Sequence, residues 1–115
     1  MNEKFIESIF ASIVEGNVAI YKELFNEEVN KDNVIDYWKN AMKFYGDIDE
    51  SQREVFFSII KTVIIDTISN VFGVIDGVCA IDDKDWSIKM SINGHNTNSE
   101  LQDVFLAYVE LLEKS

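Results

Sequence analysis

The sequence predicts a helix-rich α+β fold: about four helices, one β-hairpin and a C-terminal helix. Three observations carry this expectation. Apolar residues recur at helical spacing through most of the chain, the run Trp86–Ile92 alternates apolar and polar with a period of two, and proline is absent with only five glycines as punctuation.

The first helix is expected over Asn2–Glu15, with Phe5, Ile6, Ile9, Phe10, Ile13 and Val14 on one face and Glu3, Lys4, Glu7 and Ser12 opposite. Gly16-Asn17 is its natural stop, because glycine can take the left-handed turn that ends a helix. A short second helix spans Val18–Glu27, with Ile20, Tyr21, Leu24 and Phe25 inward. The third covers Asn33–Tyr45, capped by Asp32 or Asn33 and closed by Gly46. Its inner stripe is Val34, Tyr37, Trp38, Ala41, Met42 and Tyr45. Asp49 followed three residues later by Gln52 is a capping box that opens a fourth helix reaching Phe72, before Gly73. Phe56, Ile60, Val63, Ile64, Thr67, Ile68 and Val71 give this helix an apolar arc wide enough for a central position. A narrower polar stripe carries Glu54, Ser58, Lys61, Thr62, Asp66, Ser69 and Asn70.

The hairpin is expected between Val78–Ile81 and Trp86–Ile92, around the polar turn Asp82–Asp85. If Ile81 pairs with Trp86, Cys79 faces Ile88 and both strands place their apolar residues on one side. A polar loop then begins at Asn93-Gly94. Ser99 with Gln102 forms a second capping box, opening the last helix, which reaches Glu113 with Leu101, Val104, Phe105, Tyr108, Leu111 and Leu112 inward.

A length of 115 residues predicts a single domain over 1–115, and 47 % hydrophobic residues suffice for its core. The net charge of −11 is spread evenly, with no acidic tail. Such a field opposes nucleic acid and anionic membrane and favours a basic protein partner. A single cysteine excludes an intrachain disulfide. The N-terminal residues lack a secretory pattern, and no apolar run approaches the roughly 20 residues of a membrane span. The expected location is the cytoplasm.

From Val63 to Glu113 the layout resembles segments of uncharacterised small acidic bacterial proteins. The residues concerned are Ile64-Ile65-Asp66-Thr67-Ile68, Phe72-Gly73-Val74-Ile75-Asp76-Gly77, the hairpin, and Leu101-Gln102-Asp103-Val104-Phe105-Leu106. In size and acidity the whole chain is similar to toxin-neutralising immunity proteins, a resemblance of character that designates no residue.

Chemistry-bearing clusters are few. Asp82, Asp83 and Asp85 crowd one turn near Asp76, but the ligand spacing of a calcium loop is missing and Lys84 sits among them. A thiol activated by the only histidine would join Cys79 to His95. The hairpin register instead buries Cys79 and leaves His95 exposed in a loop. One Cys and one His cannot make a zinc site, and the glycines lack a phosphate-loop pattern. Tyr37, Trp38, Tyr45 and Trp86 are all in phase with apolar stripes and are expected in the core. No catalytic residue, cofactor or metal is assigned; Asp82, Asp83, Asp85 and His95 are the candidates for partner contact. The expected function is non-enzymatic binding of a basic protein, concretely as an immunity-type inhibitor of a basic bacterial toxin. The alternatives are a small-molecule-binding protein or enzyme with a pocket between the long helix and the hairpin, or a domain that dimerises through the hairpin edge.

Overall fold

The computed structural model describes residues 1–26, 36–84 and 86–114. Glu27, Asp32, Asn33 and Val34, expected at the ends of the second and third helices, lie outside the described residues, as does Asp85. The architecture is helix-rich α+β with one short antiparallel hairpin.

From Asn2 the chain is helical without interruption through α1 (Asn2–Ile9), a π-helical segment (Phe10–Glu15) and α2 (Gly16–Asn26). The stop expected at Gly16 does not form. Its φ of −61° and ψ of −46° are ordinary right-handed values, whereas a terminating glycine needs the left-handed region. The position is marked by the wider π turn instead, and Asn17 Nδ2 donates to Ile13 O there at 2.7 Å. Ile6, Phe10 and Val14 bury in one hydrophobic cluster and Phe25 in another. Ile20 and Tyr21, expected inward, are exposed.

Helix α3 (Asp36–Asp47) continues through Gly46. Tyr45 is buried and Trp38, Ala41 and Met42 are half-buried, but Tyr37 is 75 % exposed rather than in the core. Helix α4 (Glu50–Ile75) starts with the expected capping box: Gln52 N–H donates to Asp49 Oδ1 at 2.8 Å, and Asp49 N–H to Gln52 Oε1 at 2.9 Å. It runs three residues past Phe72. The terminating glycine is Gly77, with φ +79°. Val78 N–H reaches Gly73 O at 2.9 Å and Gly77 N–H reaches Val74 O at 3.1 Å, the paired closure of a glycine-ended helix. Gly73 serves close approach. A Cβ there would lie 2.6 Å from Cys79 Sγ and 2.7 Å from Gln102 Nε2.

The hairpin forms further along the chain than expected. Val78–Ile81 and Trp86–Met90 make no ladder; one bridge, Ile81↔Lys84, closes a tight turn in which Asp82 and Asp83 both have positive φ. The ladder joins β1 (Ser91–Ile92) to β2 (His95–Asn96), with Ser91↔Asn96 and Ile92↔His95 paired. Asn93 (φ +52°) and Gly94 (φ +82°) make the turn, and Asn-Gly is the dipeptide that best tolerates two left-handed residues. Thr97 N–H extends the register to Met90 O at 3.0 Å. Met90 and Ile92 pack on the core, while Trp86 (56 % exposed) and Ile88 do not. Alternation thus reported burial only where a ladder held the strand against the helices.

Helix α5 (Leu101–Glu113) lacks the expected Ser99 capping box. Asn98 and Ser99 both take positive φ, and Glu100 is the N-cap residue without a side-chain bond. The acceptor comes from another helix end: Asp76 Oδ2 accepts Gln102 N–H at 2.7 Å. This frees the Gln102 side chain to donate to Ser69 O at 3.0 Å.

The larger hydrophobic cluster contains Ile6, Phe10, Val14, Phe72, Leu101, Phe105 and Val109; the smaller contains Phe25, Tyr45 and Phe57. Helix α4 serves both, through Phe72 and Phe57, about 22 Å apart at 1.5 Å per residue. The Cα radius of gyration is 17.8 Å, against about 13 Å for a compact chain of this length. That elongation leaves much apolar surface in the open.

Replacing Gly73 by alanine pushes Cys79 and Gln102 aside and is expected to cost about 1–3 kcal/mol, as overpacking does. Gly46→Ala, where the added methyl meets nothing within 4 Å, should be neutral or stabilising by up to about 1 kcal/mol. Urea melts followed by circular dichroism compare the two; an unchanged Gly73→Ala midpoint would contradict the close packing.

Candidate functional site

Helix α4 exposes an apolar row, Val55, Ile59 and Val63, each more than half exposed. Four-residue spacing stacks these side chains on one face of a helix. Ser51, Ser58 and Thr62 flank the row and leave it open. Beside it Tyr37, Trp38 and Phe44 of α3 join Ile59 and Val63 in lining an apolar groove of about 470 Å³. Its floor is aromatic: Phe25 lies 5.0 Å from Trp38 and 5.3 Å from Phe56 between ring centroids. Phe44 rests on Phe56 at 5.7 Å while remaining mostly exposed.

Charge brackets this face. Glu54 precedes the row and Asp66 follows it, both exposed, while Arg53 and Lys61 fall on the opposite side of α4 by helical spacing. Among the described residues two ion pairs form, Met1 amino group to Glu3 at 3.6 Å and Lys114 to Glu110 at 2.9 Å. The other described carboxylates have no described basic side chain within 4 Å.

Asp82 and Asp83 are exposed at the Ile81–Lys84 turn, and His95 is exposed in β2 rather than in a loop. Asp85 lies outside the described residues. No group of three or more His, Cys, Asp or Glu side chains with metal-binding arrangement occurs among the described residues. Cys79 is exposed, contrary to expectation, because the strand meant to bury it does not form. Its sulfur neighbours Gly73 and Gln102, and no hydrogen bond links it to His95. Between Ile75 at the end of α4 and Met90 and Thr97 of the hairpin region lies a hollow of about 320 Å³, bordered by no carboxylate or histidine.

Two features escaped the sequence reading. The first is the exposed row itself, since Val63 was expected inside. The second is Asp76, 7 % exposed, which caps α5. Asp76 Oδ1 is buried with no hydrogen-bond partner among the described residues. The positive end of the α5 dipole is what offsets that burial. The Asn-Gly dipeptide could have located the hairpin, but no sequence signal marks a cap supplied from 26 residues away.

Among the described residues α4 is also the one helix long and apolar enough by composition to cross a membrane, with mean hydropathy 1.6 over its best window and 17 % of that window buried. By length and composition α4 thus reaches the span that no apolar run was expected to approach, with Lys61 and Asp66 as its interrupting charges. No protein family, curated protein or solved structure matches the chain.

With Cys79 and Trp86 both exposed, a thiol reagent should label the native protein rapidly and stoichiometrically. Trp86→Ala should cost less than about 1 kcal/mol, the usual range for surface positions. Slow labelling, or a loss of about 3 kcal/mol or more as for a buried aromatic, would place the Val78–Met90 segment against the helices.

Proposed function

We propose that the chain is a non-enzymatic protein-binding domain that docks a basic partner on the α3–α4 face. The immunity-type inhibitor of a basic bacterial toxin, acting in the cytoplasm, is the concrete form of this reading. The observation that carries it is the apolar row Val55–Ile59–Val63, bracketed by Glu54 and Asp66 and widened by Tyr37 and Phe44. An apolar centre with a charged rim is the general anatomy of a protein interface, and aromatic residues are enriched at its hot spots. A toxin that acts on nucleic acid must present Lys and Arg to phosphates, and an acidic-rimmed surface complements it.

A second copy of the chain fits this face less well. Antiparallel pairing centred on the row sets Glu54 against Asp66 of the other copy, and parallel pairing sets each acid beside its own equivalent. Like charges so placed are unfavourable. Dimerisation through the hairpin edge has two-residue strands to work with, too little for a stable ladder.

Once the physiological partner is isolated, its association should slow markedly between about 50 and 200 mM salt, because steering is screened. Ile59→Ala should weaken binding by about tenfold or more as a central anchor, whereas Val71→Ala, exposed elsewhere on α4, should not. Salt-independent association, tight binding to an acidic partner or nucleic acid, or indifference to Ile59→Ala would each reject the reading.

A further inference from the structure

Across α4 from the apolar row runs a second row at the same spacing, Arg53, Phe57 and Lys61. It borders a cleft of about 820 Å³ shared with Tyr45 of α3 and with α2, from which Lys22 reaches over the Phe57 ring. We propose that this cleft binds a linear polyanion of the polyphosphate type, gripped by Lys22, Arg53 and Lys61.

The first argument is that these cations are unneutralised. None of the three has a carboxylate within 4 Å among the described residues, as holds for every described lysine but Lys114, although Glu50 and Glu54 border the same cleft. Each lies over an aromatic ring instead: Arg53 at 4.1 Å from the Tyr45 centroid, Lys22 at 5.6 Å from Phe57, and Lys61 at 5.6 Å from Phe10. Ring faces hold cations in place without cancelling their charge.

The second argument is pre-organisation. Arg53 Nε donates to Tyr45 O at 3.2 Å, and Tyr45 Oη donates to Asn26 Oδ1 at 3.0 Å. The guanidinium is thereby fixed by one of its five N–H groups, and its planar fork matches phosphoryl oxygens.

The third argument is spacing. Arg53 and Lys61 are two turns apart, about 12 Å along the axis, with Lys22 over the middle of the row. A single phosphate or carboxylate cannot span that distance; a chain of phosphoryl groups can. The negative field of the whole protein does not forbid this, since it decays over about 8 Å at physiological ionic strength, and along the cleft itself the three cations outnumber the two acids, Glu50 and Glu54.

Isothermal titration of the full chain with sodium tripolyphosphate in 50 mM NaCl tests the proposal. The expected result is saturable one-to-one binding, with orthophosphate at least tenfold weaker. The double variant Lys22→Gln/Lys61→Gln should lose about tenfold or more, the scale of a lost charge-assisted contact. Lys39→Gln/Lys43→Gln, which removes the same charge from exposed positions on α3, should bind as the parent does. Thermal melts confirm that each variant is folded. Absence of saturable binding at millimolar tripolyphosphate, equal affinity for orthophosphate, or equal loss in the two double variants would overturn it.

Discussion

The carboxylate of Asp76 holds the junction on which the larger half of the molecule depends. It sits where α4 ends, accepts the Gln102 N–H at the start of α5, and so ties the last turn of one helix to the first turn of another. Gln102 returns the connection to Ser69 of α4, and Gly73 leaves the room for it. With α5 anchored, Leu101 and Phe105 are driven into the core beside Phe72, and α1 with the π-helical segment closes the other side through Ile6 and Phe10. The hairpin is pinned at Thr97, which is buried and whose carbonyl accepts a hydrogen bond from Asn2 Nδ2 at 3.0 Å. A single polar contact thus sets the angle at which apolar surfaces meet. The hydrophobic effect supplies most of the free energy but no direction.

Helix α4 carries a second obligation. Its N-terminal half offers Phe56, Phe57 and Ile60 to α2 and α3, and its C-terminal half offers Phe72 to α1 and α5. A helix that serves two clusters needs apolar residues over most of its circumference, and whatever neither cluster covers is left in water. The row at Val55, Ile59 and Val63 and the elongated shape have this common origin. The opposite face sets Arg53 and Lys61 on either side of Phe57, which is buried in the smaller cluster, so the two cations border the cleft at its edges.

Much of this was legible. The helices are where apolar spacing placed them, and Asp49 with Gln52 forms the capping box their spacing implied. What failed were particular inferences that needed tertiary context. Gly16 was read as a stop, but a glycine ends a helix only if the chain has reason to turn. Trp86 and Ile88 alternate as a half-buried strand does, yet periodicity says which residues share a face and not whether anything covers it. The Asp-rich turn outweighed Asn93-Gly94, although two left-handed residues in succession suit Asn-Gly better than any other pair. Ser99 looked like a cap because capping boxes are local patterns, and the acceptor used is remote. For the candidate site, apolar spacing on α4 was visible but exposure was not, since one long helix can bury opposite sides along its length.

The division of buried residues between two clusters also has a consequence for how the native state opens. Phe25, Tyr45 and Phe57 form the smaller one, and its loss need not disturb Leu101, Phe105 or Ile6. Amide hydrogens in α2, α3 and the first turns of α4 are therefore expected to exchange through a partial opening, at lower free energy than those of α5 and the end of α4. The least protected segment coincides with the exposed α3–α4 surface. A partner settling there would slow that exchange, and would pay for part of its grip by ordering a region that fluctuates when free.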